Sequence, residues 1–287
     1  MEVINQIEEM RLWSQKQRAE GRIIAFVPTM GYFHDGHLSL MREGKKRANC
    51  LVVSIFVNPT QFGVGEDFDR YPRDLERDRK LAEKTGVDVM FVPNREEMYP
   101  ENYQTYVTVE EITKDLCGRS RPGHFRGVAT VCLKLFNIVN PHLALFGKKD
   151  FQQLMVIKRM VKDLNLNLEI IAMPTVREPD GLAMSSRNTY LKVGERMAAL
   201  SLSRSLLVAK RLYDSGEREA SRILAAVEST LVTHPEIKTE YIKICDIETL
   251  KEIPRIDKPA VIALAVKIGE TRLIDNYVFG EPLEINN

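Results

Sequence analysis

The first half of the chain alternates short apolar runs with longer stretches of mixed polarity. Five runs are apolar almost throughout: Ile23 to Val27, Leu51 to Val57, Val87 to Val92, Leu143 to Phe146 and Leu168 to Ala172. Strands buried on both faces read this way, since neither side of the pleat can be polar. The stretches between them carry the helical period. In Gly127 to Val139, residues Val128, Val131, Cys132, Leu135 and Phe136 form a stripe at i, i+3, i+4, i+7 and i+8. Leu38 to Arg47, Pro72 to Lys84 and Phe151 to Leu164 are further helices, and Val3, Ile7 and Met10 suggest a helical stripe at the start. Strands alternating with helices predict an α/β fold: a Rossmann-like parallel sheet with helices on both faces.

The pattern changes after about residue 175. Two successive helices, Glu195 to Ser215 and Arg218 to Thr233, precede strands at Glu240 to Ile247, Ala260 to Ile268 and Thr271 to Phe279. Gly269-Glu270 between the last two reads as a hairpin turn. Helices followed by antiparallel strands predict a smaller α+β C-terminal domain. The expected division is residues 1–175 and 176–287.

Composition narrows the function more than the fold. Of 287 residues, 41 are Lys or Arg and 40 Asp or Glu, a formal net charge of +1. That balance gives no reason to expect nucleic acid or an anionic membrane as a partner. No apolar run approaches the roughly 20 residues of a spanning helix, and the N-terminus lacks the basic and apolar pattern of a signal peptide. The four cysteines, Cys50, Cys117, Cys132 and Cys245, form no C-x-x-C pair. They predict reduced thiols in a cytoplasmic protein rather than a disulfide framework or a zinc site.

The unusual residues cluster where ligands of an open α/β sheet bind, beyond the carboxyl ends of the strands. After the first strand comes Met30-Gly31-Tyr32-Phe33-His34-Asp35-Gly36-His37; after the second, Asn58-Pro59-Thr60-Gln61-Phe62. After the fourth comes Gly147-Lys148-Lys149-Asp150-Phe151-Gln152-Gln153, and beyond the fifth Val176 and then Met184-Ser185-Ser186-Arg187. Two histidines straddling a glycine at a helix start suit phosphate, which the free N–H groups and dipole of that end attract. Gly36 lets the backbone come close to a nucleotide. Lysines at a strand end are point charges for phosphate, although Asp150 and Gln153 equally suit a capping box. Two hydroxyls and a guanidinium suit a triphosphate. Arg119 to Gly127 is a cationic, Pro/Gly-punctuated loop suited to phosphate or carboxylate, or simply to water. No G-x-x-x-x-G-K-[ST] and no G-x-G-x-x-G after the first strand is present, so a P-loop or a usual dinucleotide site is not supported. From the loops alone, a phosphate-handling α/β enzyme is expected.

Taken together, Met30 to His37, Asn58-Pro59-x-Gln61-Phe62, Arg121-Pro122-Gly123-His124-Phe125-Arg126-Gly127, Gly147-x-Lys149-Asp150-Phe151-Gln152-Gln153 and Met184-Ser185-Ser186-Arg187 resemble the pantothenate synthetase (pantoate–β-alanine ligase) family in order and spacing. The likeness extends to Ile274-Asp275-Asn276. The His-x-Gly-His pair and the Ser-Ser-Arg loop also look like the nucleotide signatures of class I aminoacyl-tRNA synthetases and related nucleotidyltransferases.

The resemblance implies a two-step, ATP-dependent ligation. Pantoate is first adenylated with release of pyrophosphate; β-alanine then displaces AMP to give pantothenate. By the same resemblance Met30 to His37, Gly147 to Asp150, Val176 and Met184 to Arg187 line the ATP site. His34, His37 and Lys149 are its catalytic residues, with His37 a proton donor. Gln61 and Gln153 bind pantoate, Gln61 lies near β-alanine, and Asn58 supports that pocket. Magnesium accompanies ATP, with no protein ligand assigned. The resemblance further implies a cytoplasmic homodimer whose C-terminal domain closes over ATP. Lys148 departs from the family pattern and adds positive charge beside the phosphates. Two alternatives stay open: a related nucleotidyltransferase forming a nucleotide conjugate, disfavoured by the two glutamines, and a catalytically silent nucleotide sensor.

Overall fold

The computed structural model describes residues 1–283 and 285. In chain order the strands and α-helices are β1 (Glu2–Ile4), α1 (Ile7–Ala19), β2 (Ile24–Thr29), α2 (Asp35–Arg47), β3 (Cys50–Ile55), α3 (Leu75–Thr85), β4 (Val89–Phe91), α4 (Arg95–Met98), α5 (Cys117–Ser120), α6 (His124–Val139), β5 (Leu143–Gly147), α7 (Phe151–Asp163), β6 (Glu169–Met173), α8 (Val193–Asp214), α9 (Ala220–Leu231), β7 (Ile237–Asp246), β8 (Ala260–Ile268) and β9 (Thr271–Val278). They fall into two units. The first comprises residues 1–109, 121–148 and 153–174; the second comprises 110–120, 149–152 and the chain from Thr175 onward.

The first unit is a six-stranded parallel sheet in the order β1-β4-β3-β2-β5-β6. The chain leaves β2 toward β3 on one side, and later runs from β5 to β6 on the other. β2 and β5 are therefore the neighbours at which strand order reverses, and ligands of open α/β sheets bind beyond the carboxyl ends at such a point. The central strands are apolar on both faces, as their runs predict: Ile24 to Val27 and Leu51 to Val53 are fully buried. One face carries Phe33, Leu38 and Met41 packed on Val27, Val53 and Leu145. Each such side chain contributes about 1.5–3 kcal/mol when fully buried.

Two segments depart from what their sequence pattern predicts. Glu2–Ile4 is not part of a helical stripe but an edge strand paired with β4; the helix begins at Ile7. Three residues are too few to show a period of two, and Val3 is exposed. β6 is apolar in sequence yet only half-buried, because it has a strand on one side only.

In the second unit β7, β8 and β9 form an antiparallel sheet under α8 and α9. Its core joins Leu202, Leu206, Ile223 and Val227 to Ile262, Leu264 and Leu273. Ile268 pairs with Thr271 across Gly269, whose φ is +55°, so the predicted turn is a two-residue hairpin. β7 starts at Ile237, three residues earlier than its pattern suggests. A bulge between Thr239 and Tyr241 interrupts the alternation there. Residues 110–120 and 149–152 join this unit through side chains. Gln152 accepts from the Cys117 N–H and donates to the carbonyls of Ile112 and Asp115, and Lys243 of β7 reaches Asp115 at 2.7 Å.

Candidate active site

β2 ends at Thr29 and the chain turns through Met30–Phe33 into α2. Gly31 (φ +83°) and Tyr32 (φ +53°) both take the left-handed conformation. A buried carboxylate holds them there: Asp78 of α3 accepts from the Tyr32 N–H at 2.6 Å and the Phe33 N–H at 2.7 Å. Burial raises the Asp78 pKa above the ordinary value, and the two N–H groups act against that rise. A Cβ on Gly31 would lie 3.0 Å from Asp78 Oδ2, so the approach requires glycine. Phe33 turns its side chain into the core, leaving its backbone on the loop.

His34 and His37 meet at the start of α2 with ring centroids 4.1 Å apart. The Gly36 N–H donates to His34 Nδ1 at 3.2 Å, and the His34 N–H donates to His37 Nδ1 at 3.3 Å. Because both Nδ1 atoms accept, each neutral ring carries its hydrogen on Nε2. The pair thus caps its own helix, at the end where the helix dipole favours anions. Asp35 points outward and lies 3.8 Å from Arg42.

The turn after β3 is organised by Asn58, which is 1% exposed. Its Oδ1 accepts from the Thr60 and Tyr99 hydroxyls, each at 2.9 Å. Its Nδ2 donates to Gln61 Oε1 and to the Gly127 carbonyl, each at 3.1 Å. Burial pushes the Tyr99 phenol up to about 12, so it stays a donor. Gln61 Nε2 in turn lies 3.1 Å from Met30 Sδ, which joins this turn to the histidine loop. The Gln61 carbonyl is held by His124 Nδ1 at 2.8 Å and Arg121 Nη2 at 3.3 Å. Arg121 pairs with Glu66 at 2.6 Å. Burial alone would raise the Glu66 carboxyl, but the guanidinium prevails and holds it at about 2. The Arg121 to Gly127 segment thus fixes Gln61 from behind.

In the second unit Lys149 lies in the 3-10 turn Lys148–Asp150, 3.7 Å from the Asp150 carboxylate. Val176 accepts from the Met184 N–H at 3.0 Å, closing a short hairpin. Ser185 caps the 3-10 turn Ser186–Tyr190 by accepting from the Arg187 N–H. Asn188 braces the turn through Glu178 at 2.6 Å and the Ala183 carbonyl at 3.0 Å. Gln152 is buried on residues 112–117, whereas Gln153 is partly exposed. Among the described residues, no group of three or more His, Cys, Asp or Glu side chains is gathered to hold a metal ion.

The model of the pantoate-beta-alanine ligase family matches residues 2–278. The chain belongs to that family. A pantothenate synthetase of Syntrophus aciditrophicus is 63% identical over 285 residues, covering 99% of this chain and all of the relative. One from Geobacter sulfurreducens is 58% identical over 281 residues, covering 98% of this chain and 99% of the relative. The crystal structure of a Thermus thermophilus pantothenate synthetase superposes with a TM-score of 0.92 at 45% identity, over 96% of this chain and 99% of that one. The Francisella tularensis ligase, complexed with β-γ ATP and β-alanine, superposes at 0.80 with 35% identity, over 99% of this chain and all of that one. Residue spacing alone points to none of Asp78, Tyr99, Glu66 or Asn188, which support the pantoate-beta-alanine ligase motifs from elsewhere in the chain. Arg121 and His124 lie in a loop that is visible in sequence, but their grip on the Gln61 carbonyl is not.

Proposed function

We propose that this chain condenses pantoate with β-alanine at the expense of ATP, through a pantoyl adenylate, releasing pyrophosphate and AMP. Membership of the pantoate-beta-alanine ligase family across residues 2–278 carries this reading. In the first step a pantoate carboxylate oxygen attacks the α-phosphorus and pyrophosphate leaves. In the second the β-alanine amine attacks the acyl carbon and AMP leaves. The adenylate is a mixed anhydride, so no side-chain nucleophile is needed. The protein's work is to hold the reactants in line, neutralise phosphate charge and exclude water.

The roles follow from this. His34 and His37 donate from Nε2 to the phosphates as charge builds during pyrophosphate departure, with His37 the proton donor. Met30, Gly31, Tyr32, Phe33, Asp35 and Gly36 line the nucleotide, largely through backbone. Gly147, Lys148, Lys149 and Asp150, with Met184, Ser185, Ser186 and Arg187, supply cations and hydroxyls to the polyphosphate, with Lys149 the catalytic cation; Val176 meets adenine through its backbone. Gln61 and Gln153 bind pantoate and Asn58 fixes Gln61. Magnesium arrives as part of the substrate, on the ATP phosphates. The same reading includes a cytoplasmic homodimer, and sedimentation of a monomer at assay concentration contradicts the dimer. No helix among the described residues is long and apolar enough to cross a membrane. Incubation with ATP, pantoate and β-alanine is expected to give AMP that depends on both acids; AMP formation indifferent to pantoate contradicts the function.

A further inference from the structure

β9 carries two consecutive buried polar residues, Asp275 (3% exposed) and Asn276 (7% exposed). Successive residues of a strand point to opposite faces, and each of these two grips a different segment. Asp275 shares its face with Leu273 and Tyr277, both part of the apolar core. There it takes a bidentate pair from Arg177, with Nη1 to Oδ2 at 2.7 Å and Nη2 to Oδ1 at 3.0 Å. Arg177 Nη1 also donates to the Gly181 carbonyl at 3.2 Å, closing the turn between Val176 and Met184. Arg177 and Ala183 form an antiparallel bridge across the same turn. On the other face Asn276 Nδ2 donates to the Lys149 carbonyl at 2.8 Å. The Asn276 N–H donates to Asp275 Oδ1 at 2.8 Å, tying the two grips together.

A buried ion pair is poor evidence of stability, since apolar residues of equal volume often do as well. What this pair adds is geometry. A lysine ammonium rides on a flexible stem, so where it reaches depends on where its backbone is held. β9 offers a rigid mount, because every residue from Thr271 to Val278 pairs with β8. We propose that Asp275 and Asn276 are positioning residues for adenylation: Asn276 sets the backbone of Lys149, and Asp275, through Arg177, sets the Val176-to-Arg187 segment. This rests on the proposed function, in which both segments meet ATP.

The test is a double-mutant cycle read by radiolabelled ATP–pyrophosphate exchange with pantoate, an assay able to follow the weak residual rate of Lys149→Ala. Asn276→Ala is expected to lower the exchange rate about 10- to 100-fold, the scale of a misplacement near 1 Å. In the Lys149→Ala background the same change is expected to cost nothing further, because Asn276 acts through Lys149. A merely structural residue would lose the same factor in both backgrounds, and such additivity overturns the proposal, as does an unchanged rate. Thermal unfolding of each variant shows that the fold persists; if Asn276→Ala unfolds, Asn276→Leu, close to the same volume without the donor, replaces it. Asp275→Asn is expected to raise the KM for ATP by the same factor in both Lys149 backgrounds, and an unchanged KM removes Asp275 from the role. A wild-type chain without pantoate-dependent exchange overturns the function itself, whereas an active wild type with an additive cycle overturns only the positioning.

Discussion

Adding one methyl group at Gly127 tests how the turn proposed to bind pantoate is built. Gly127 lies in the first turn of α6, and the backbone of the Pro59–Gln61 turn rests directly on it. A Cβ there would stand 2.4 Å from the Thr60 carbonyl oxygen, 2.5 Å from its carbon and 2.6 Å from the Gln61 nitrogen. All three are backbone atoms, so no side chain can swing away. Ordinary contact begins near 3.4 Å, so the turn and the helix must part by about 1 Å. The Asn58 hydrogen bond to the Gly127 carbonyl crosses the same seam and is strained with it. A displacement of 1 Å in a positioning group costs on the order of 100-fold in rate. Gly127→Ala is therefore expected to lower kcat/KM for pantoate about 100-fold by displacing Gln61. Steady-state AMP formation with pantoate varied is the assay, with circular dichroism to confirm the fold. Gly194→Ala is the control: apart from its chain neighbours and its own helix backbone, no atom of the described residues lies within 4 Å of its added Cβ, and activity is expected to be unchanged. A folded Gly127→Ala protein with wild-type kcat/KM shows that the contact between this helix turn and the Thr60 backbone does not position Gln61.

Glu66→Gln tests the network behind Gln61. A carboxyl held at about 2 stabilises the fold above its ordinary value of 4.5 and loses that contribution as pH falls from 4.5 toward 2. Allowing for solvent screening, the variant is expected to lose roughly 1–2 kcal/mol at pH 7 and to converge on wild type in urea melts near pH 2; an equal loss at both pH values contradicts the pairing. Asp275→Ala strands the buried Arg177 charge and is expected to cost about 3–5 kcal/mol, seen as a lower thermal midpoint; an unchanged midpoint contradicts the burial of the pair. Asp78→Ala removes the acceptor of two N–H groups at the histidine loop, at about 1–3 kcal/mol for each group left unsatisfied. It is expected to raise the KM for ATP, and wild-type ATP kinetics would show that the loop holds its shape unaided. His37→Ala and Lys149→Ala are each expected to lose about 100-fold or more in turnover; near-normal rates contradict their roles without touching the family.

The parallel sheet was legible because its strands are buried on both faces, which leaves uninterrupted apolar runs such as Ile24 to Val27 and Leu51 to Val53. Short or edge elements were not. Glu2–Ile4 is too brief to show a period, and β6 looks central in sequence although it lies at the edge. The chemistry-bearing loops stood out because polar, glycine-rich segments follow apolar strands. What holds those loops did not stand out, since the supports come from far along the chain. Asp78 is 46 residues from Tyr32, and Asn276 is 127 residues from Lys149. An isolated Asp in the charged stretch Leu75–Thr85 reads as a solvated helix face, and only the fold shows it buried against two backbone N–H groups. Gly127 likewise reads as a helix residue until the backbone of Thr60 is found against it.

The proposed function turns on adenylation of pantoate. ATP–pyrophosphate exchange with pantoate present and β-alanine omitted isolates that step, because the reverse reaction needs the acyl adenylate and pyrophosphate together. Label is expected to pass from pyrophosphate into ATP only when pantoate is added. Exchange independent of pantoate, or none with it, contradicts pantoate adenylation by this chain.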